Sequence, residues 1–470
     1  MQPLLSNSRG RYALAFLAAL IVIAVQIRVR GEHNPILDEV SYLTVVDDLN
    51  RSGTFTDGSF AKPELASAPG RFLGPGYPMF LHLISRADPA LAEAVNCHRD
   101  QPEPRQEACG GSFASAVAVQ AILAAIQATA VFAIAYMISG TLALAWLALA
   151  LSLMAGSFAE YARMMLSENT AFLGFYLFLA GAVAWARRES ATTAALAGAA
   201  LSFAALSRPS YIYLVYACAG AIAFLALLST QNVRAARLRS TMCFVAAGAL
   251  VLAPWMIRNF VQFGDTALTH GYAGLTLAQR VAYNAMTGKE WLVAWVYWLP
   301  DFGDNLIRAV LPERDWIRLG WTDPSSFYQT GTSTVFVETL AAAGGSDRHL
   351  GYLLRHCVFG DLAKHVAVTL PLTMRGIWAG GYLALAGVLL AAPVVRRLAG
   401  EGRLGPLAAL VLPLSFMAVL HGFVSVNIVR YNEPMIAFYA LVVAGVIVDL
   451  WRRYASVAGI ARSGGDGAKT

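Results

Sequence analysis

The sequence predicts an all-α polytopic membrane protein: a bundle of about ten to twelve transmembrane helices with two long extracytoplasmic segments. Three observations predict it. Of 470 residues, 57% are hydrophobic and only 14% are charged, against roughly 25% charged in an average soluble domain. The mean hydropathy is +0.55. The apolar residues lie in long continuous runs, which argues for membrane helices and against the alternation of a β-barrel. Too few charges remain to coat the faces of a soluble enzyme of this size, and disorder and a disulfide-rich secreted domain are excluded on the same ground.

A helix crossing a bilayer core needs roughly 20 residues. Ten runs fit: 12–29, 113–137, 142–158, 170–185, 193–206, 210–228, 242–257, 378–395, 407–424 and 436–450. The first is too long for a cleavable signal peptide, and no small-residue cleavage site follows it. Orientation comes from arginine, because lysine occurs only at 62, 289, 364 and 469. With the N-terminus in the cytoplasm, Arg9 and Arg11, Arg187 and Arg188, Arg234, Arg237 and Arg239, Arg396, Arg397 and Arg403, and Arg452 and Arg453 all fall inside. That is the positive-inside distribution. The net charge of +6 is thus a topology signal rather than a nucleic-acid surface.

The expected organisation is an N-terminal transmembrane module over 1–261, an outer segment over 262–372, further transmembrane helices over 373–454 and a cytoplasmic tail over 455–470. The first module carries the other outer segment, 31–112. Within 262–372, the stretch from Trp291 to Pro300 is rich in Trp and Tyr but too short to span. It suits the membrane interface. The alternative is a hidden helix pair, which would make twelve spans. Cys97 and Cys109 lie in the first outer segment. An oxidising compartment permits a bridge between them, and two unpaired thiols are the other reading. Cys218 and Cys243 fall in apolar runs and read as packing residues.

Polar residues at membrane depth are costly and therefore informative. Asp38 and Glu39 follow the first span and Pro35 in Asn34-Pro35-Ile36-Leu37-Asp38-Glu39-Val40-Ser41-Tyr42. Asp38 is read either as a helix cap or as a general base at the lipid interface. Glu168 follows Arg163 in Arg163-Met164-Met165-Leu166-Ser167-Glu168. Arg208 precedes Pro209, Arg258 follows Pro254-Trp255, and Arg430 opens Arg430-Tyr431-Asn432-Glu433-Pro434. All four arginines sit at outer helix ends. Snorkelling explains each one singly. Together they form a cradle for an anion, since a guanidinium binds phosphate as a bidentate fork. Asp38, Glu39 and Glu168 are oxygen donors suited to Mg²⁺ or Mn²⁺, without a complete ligand set. No cofactor is otherwise indicated.

These motifs, in this order, resemble the GT-C superfamily of integral membrane glycosyltransferases. The similarity is to the bacterial branch related to protein O-mannosyltransferases and aminoarabinose lipid A transferases. The matching segments are Leu37–Tyr42, Gly74-Pro75-Gly76-Tyr77-Pro78, Ser167-Glu168, Ser207-Arg208-Pro209, Pro254–Gly264 and Arg430-Tyr431 with Pro434. The resemblance implies a bacterial inner-membrane enzyme that moves a sugar from a polyprenyl-phosphate donor to a hydroxyl acceptor, with inversion, on the extracytoplasmic face. The acceptor would be a lipid, a glycan or a protein. By that resemblance Asp38 is the base. Glu39, Glu168 and Tyr42 face sugar, and Arg258, Arg208, Arg430 and Arg163 hold phosphate. A polytopic transporter or lipid flippase is the competing reading.

Overall fold

The computed structural model describes residues 8–36, 38–60, 68–100 and 110–457. Among them the regular structure is helical. Six helices are long and apolar enough to cross a membrane, and two bent pairs raise that to eight. The shorter apolar helices Ala191–Ser207 and Tyr211–Leu227 account for the other two expected runs. The chain is an all-α polytopic membrane protein.

The order begins with α1 (Ser8–Arg30) and three helices of the first long segment: α2 (Asp38–Ser52), α3 (Gly76–Ala87) and α4 (Pro89–Asp100). Membrane helices follow: α5 (Ala114–Ser139), α6 (Leu142–Met154), α7 (Ser157–Arg163), α8 (Glu168–Arg188), α9 (Ala191–Ser207), α10 (Tyr211–Leu227) and α11 (Gln231–Phe263). The second long segment holds α12 (Tyr272–Ala282), α13 (Gly288–Tyr297), α14 (Gly303–Val310), α15 (Phe336–Ala343), α16 (Ser346–Tyr352) and α17 (Leu362–Gly376). The chain closes with α18 (Tyr382–Leu389), α19 (Ala391–Gly400), α20 (Leu404–Val424) and α21 (Ile436–Val457). A 3₁₀ turn, Val429–Met435, leads into α21.

The bundle core is contiguous. α5 packs against α1, α6 and α8, α9 lies between α8 and α11, and α20 packs on α8. Small residues let these backbones approach. A Cβ at Gly198 would strike the Phe244 carbonyl, and one at Gly174 would strike Ala200 and Ala204. Without a hydrophobic force between helices in lipid, such close contact is what associates them. Large apolar side chains such as Val29, Leu250 and Val261 face outward and exposed. A lipid surface makes that favourable, whereas water would not.

Two expected spans are bent. The run over 142–158 breaks after α6 by 50° into α7, at Gly156, whose φ of +75° ends α6. The run over 378–395 starts later, at Tyr382, and bends by 51° between α18 and α19. Among the described residues, no helix of 262–372 is long and apolar enough to span. The Trp-rich stretch is instead the ten-residue α13. A capping box between Thr287 and Glu290 starts it. Val293, Ala294, Tyr297 and Trp298 bury into a separate core with Tyr283, Phe327 and Leu372.

The first long segment caps one end of the bundle. α2 packs on α3 and α4, sharing a core of Leu43, Val46, Tyr77, Leu81, Leu91 and Val95 with Ala116 and Met165. Pro89 opens α4, where its missing N–H costs nothing, and Asp88 accepts from Ala90 N at 3.0 Å. Cys97 in α4 is disulfide-bonded. Its expected partner, Cys109, lies outside the described residues. Cys218, Cys243 and Cys357 are free.

Candidate active site

Four charged side chains meet where helix ends converge. Asp38 is the first residue of α2, Glu168 the first of α8, Arg208 the C-cap of α9, and Arg430 the second residue of the 3₁₀ turn. Pro209 follows Arg208, and Pro434 follows Arg430 by four residues. Proline disfavours helix in the residue before it, which ends α9 at Arg208, whose backbone is extended; Arg430 is held within the 3₁₀ turn. Arg430 Nη2 donates to Asp38 Oδ2 at 2.6 Å. Its Nε lies 3.4 Å from Glu168 Oε1. Arg208 Nη1 donates to the same oxygen at 2.7 Å.

Glu168 is almost fully enclosed, its side chain 3% exposed, whereas that of Asp38 is 56% exposed. The buried carboxylate thus neutralises two guanidinium groups, and the exposed one faces the opening. Two acids and two arginines leave the cluster with no net charge. Arg430 Nε is buried without a hydrogen bond, so the cluster retains donor capacity.

Tyrosines surround these charges. Arg208 lies over the Tyr431 ring, 4.6 Å from its centroid. Tyr42 donates to Ser167 Oγ at 3.0 Å and packs edge-on against Tyr77 at 5.2 Å. Withdrawal from water, and then the Glu168 charge, push the Tyr42 phenol up to about 12. It is therefore a neutral hydrogen-bonding group at physiological pH. Burial likewise raises Tyr272, which also lies in the field of Tyr431, Arg208, Tyr42 and Asp38.

Two sequence segments of the resemblance touch here. A Cβ at Gly76 would run into the Ser207 backbone, at 2.8 Å from its nitrogen. The Gly74–Pro78 segment, which opens α3, therefore seats directly on the end of α9 that presents Arg208. Only glycine allows that approach.

The remaining expected residues stand elsewhere. Glu39 is 2% exposed and faces away from the cluster. Its Oε1 accepts from Met165 N at 2.6 Å, and its Oε2 from Ile36 N at 3.0 Å and His33 Nε2 at 2.8 Å. The reach back to Ile36 N makes Glu39, rather than Asp38, the acid that closes the start of α2. Arg258 donates to Gly70 O at 2.7 Å and Phe55 O at 3.1 Å, and stacks 4.6 Å over Trp255. Arg163 donates to the carbonyls of Arg30 and Gly31 and pairs with Glu160 at 3.2 Å. Sequence reasoning singled out neither Tyr431, except within its motif, nor Tyr272. Tyr431 was findable as the residue after Arg430, while Tyr272 had no local signal.

The three acids do not assemble a cation site. The Arg430 guanidinium stands between Asp38 and Glu168, and both Glu39 oxygens face N–H donors. Among the described residues no cluster of three acid, His or Cys side chains has metal-ligand geometry.

Set beside solved structures, the chain matches an archaeal oligosaccharyltransferase, AglB from Archaeoglobus fulgidus, in complex with an inhibitory peptide and a dolichol-phosphate. The TM-score is 0.52 at 12% identity, over 97% of this chain and 52% of that one. The chain shares the fold of the aligned part of that oligosaccharyltransferase. It spans about half the length of that oligosaccharyltransferase. An apo structure of the Archaeoglobus fulgidus oligosaccharyltransferase aligns at TM-score 0.49 and 12% identity, over 98% of this chain and 52% of that one. No protein-family model matches the chain, and no curated protein matches its sequence. Within this fold, the four-charge cluster lies where the first long segment meets the ends of α8 and α9.

Proposed function

We propose that the protein is a membrane glycosyltransferase that moves a sugar from a polyprenyl-phosphate donor to a hydroxyl acceptor, with inversion. The observation that carries this reading is the juxtaposition of Asp38 with Arg430, Glu168 and Arg208. An exposed carboxylate beside two guanidinium groups is the pairing that displacement of a phosphate leaving group needs. Asp38 accepts the acceptor's hydroxyl proton as the new bond to the anomeric carbon forms. The bond from that carbon to the phosphate oxygen breaks, and its electron pair leaves with polyprenyl phosphate. The phosphate gains about one negative charge in that step. Arg208 and Arg430 aimed at it stabilise the transition state more than the ground state. Such a leaving group needs no protonation, so one carboxylate suffices, in contrast to the pair used in ordinary glycoside hydrolysis.

The arrangement also supports an order of events. Arg430 holds Asp38 before substrate arrives. A donor phosphate competing for that guanidinium frees the carboxylate to act as base. Glu168 stays with Arg208 and keeps the buried charge compensated, and Tyr42 offers a neutral hydroxyl to the sugar. The AglB structure contains a dolichol-phosphate and an inhibitory peptide, which fits a lipid-linked donor with a glycan, lipid or peptide acceptor. A transporter would set its charges near the membrane midplane, whereas these four sit at helix ends. The proposed setting is the bacterial inner membrane, with both termini cytoplasmic and the cluster extracytoplasmic.

The test is transfer from synthetic polyprenyl-phosphate sugars in membranes holding wild type or Asp38→Asn, with lipid profiling of a deletion strain to find the glycan that loses one sugar. Equal transfer by the two proteins would reject the reading.

A further inference from the structure

A buried histidine near the end of α20, His421, joins the two turns from which the cluster's arginines grow. It is 4% exposed. Its ring packs on Tyr431, 5.3 Å between centroids. The Tyr431 ring in turn carries Arg208 at 4.6 Å and Arg430 at 5.8 Å. Both nitrogens of His421 have a partner. Nδ1 lies 3.2 Å from Asn432 Oδ1, and Nε2 lies 3.3 Å from Ser210 Oγ. Ser210 comes two residues after Arg208, and Asn432 two residues after Arg430.

The hydrogen bonds around His421 run in one sense. Asn427 sets its amide nitrogen against two backbone carbonyls, Leu372 O at 2.8 Å and Ala418 O at 3.2 Å. Carbonyls only accept, so this end is the NH₂ and the Asn427 oxygen faces Asn432. Asn432 Nδ2 donates to that oxygen at 2.6 Å, which turns the Asn432 oxygen toward His421. His421 Nδ1 therefore carries its proton. Nε2, bare in the neutral ring, accepts from the Ser210 hydroxyl. The far end of the chain is held firmly. Asn427 is fully buried at a φ of +46°, a left-handed conformation uncommon outside glycine. Its side chain fills the space that a Cβ at Gly376 would need. Asn432 departs from helical dihedrals inside the 3₁₀ turn, with φ −116° and ψ 19°, so contacts such as these shape the turn. A buried polar chain with every member satisfied rigidifies what it joins.

We infer that His421 is a positioning residue that sets the spacing of Arg208 and Arg430 for a single phosphate. This rests on the transferase reading for the phosphate, and on the hydrogen-bonded chain for the geometry. Glu168 Oε1 meets both guanidinium heads, while His421 meets both turns that bear them. The two arginines are thus fixed relative to each other at either end. A clamp whose spacing is set in advance loses less freedom when the anion arrives. His421 acts on the phosphate only through its neighbours, and its ring exchanges no proton with substrate.

The experiment uses the full chain in nanodiscs, with citronellyl phosphate as the phosphate probe, citronellol as its uncharged control, and binding read by calorimetry. His421→Phe keeps a ring against Tyr431 and removes both hydrogen bonds. Ser210→Ala removes one hydroxyl that caps no helix N–H, so it tests the chain even where His421→Phe folds poorly. Each should weaken citronellyl phosphate binding by about tenfold and leave citronellol where it was. His421→Asn keeps a donor near the Nδ1 position and should recover part of the loss. The double variant should bind no more weakly than His421→Phe alone, because both break one chain. Histidine ¹⁵N NMR, with the signal assigned by its absence in His421→Asn, should show the neutral Nδ1–H tautomer. An Nε2–H tautomer overturns the positioning role. So does Ser210→Ala with unchanged phosphate affinity, since a merely structural contact would lower the melting temperature and leave the folded clamp as it is. Wild type that binds citronellyl phosphate no better than citronellol overturns the transferase reading, and the phosphate role of His421 with it, whatever tautomer is found.

Discussion

Arg430 and Asp38 lie 392 positions apart in the sequence and form an ion pair of 2.6 Å. The pair joins the start of α2 to the turn before α21, and it is half open to solvent. An exposed pair of this kind adds little stability. Asp38→Asn should therefore leave folding and donor binding intact. Because Asn cannot take a proton, turnover should fall by at least about 100-fold. Thermal unfolding in detergent, donor binding and transfer measured on the same preparation test this. Loss of stability in step with activity would count against a chemical role.

Glu39 predicts the opposite pattern. Its three donors are held within the fold, two of them backbone N–H groups. Glu39→Gln leaves at least one of them poorly matched, which costs roughly 1–3 kcal/mol. The melting temperature should fall, and turnover well below it should stay within a few-fold of wild type. A selective loss of turnover would bring Glu39 into the chemistry.

Glu168 compensates two arginines at once. Removing one partner of a buried ion pair costs about 3–5 kcal/mol, because a buried charge is left alone. Glu168→Ala should be strongly destabilised. A double change, Glu168→Ala with Arg208→Met, should recover part of that loss, since the stranded guanidinium is gone. Additive destabilisation in that cycle, read from unfolding midpoints, would mean the two do not act as a pair.

The bundle was legible because its signal is continuous. Runs such as 114–139 carry no charged residue along their whole length and are long enough to cross a bilayer. The cluster was legible as a list, not as a geometry. Arg208 and Arg430 look like Arg258 and Arg163 in the sequence, all beside Pro or aromatic residues or at a helix end. What separates them is the placement of the Phe55 and Gly70 carbonyls, which accept from Arg258. Asp38 and Glu39 had to differ, since adjacent helical side chains point about 100° apart. Which one faces Arg430 depends on a contact 392 residues away.

Arg258, stacked on Trp255 of the same helix, fastens the Phe55 and Gly70 backbone to α11 through two carbonyls. Arg258→Ala should open the backbone near Phe55 and Gly70 to limited proteolysis and raise the apparent KM for donor, because residues 70–73 lead into the Gly74–Pro78 segment that seats on Ser207 beside Arg208. Lysine restores one hydrogen bond without the fork, so Arg258→Lys should recover only part of the protection. Wild-type cleavage kinetics in Arg258→Ala would show that the Phe55 and Gly70 backbone is held without Arg258.

The last prediction concerns acid sensitivity in the second long segment. His365, on α17, is fully buried. Its Nε2–H donates to Phe423 O at 2.9 Å on α20, and its Nδ1 accepts from Asn284 Nδ2 at 3.1 Å. Both ring nitrogens are thus occupied in the neutral form. Arg280 of α12, itself buried, donates to the His365 carbonyl at 2.9 Å and to Gly422 O at 2.7 Å. Burial, and then this adjacent cation, lower the His365 pKa to about 4. In the unfolded chain it returns to roughly 6.5. The unfolded state therefore binds the proton first, and stability rises with pH across this window. The contribution is fully present above about pH 6.5 and is lost as pH falls towards 4, amounting to at most about 3 kcal/mol. Protonation would also turn Nδ1 into a second donor facing the Asn284 amide. The melting temperature in detergent should drop between pH 7 and pH 5, by more in wild type than in His365→Gln, which has no charge to gain. Parallel pH profiles for the two proteins would remove His365 as the source of the acid sensitivity.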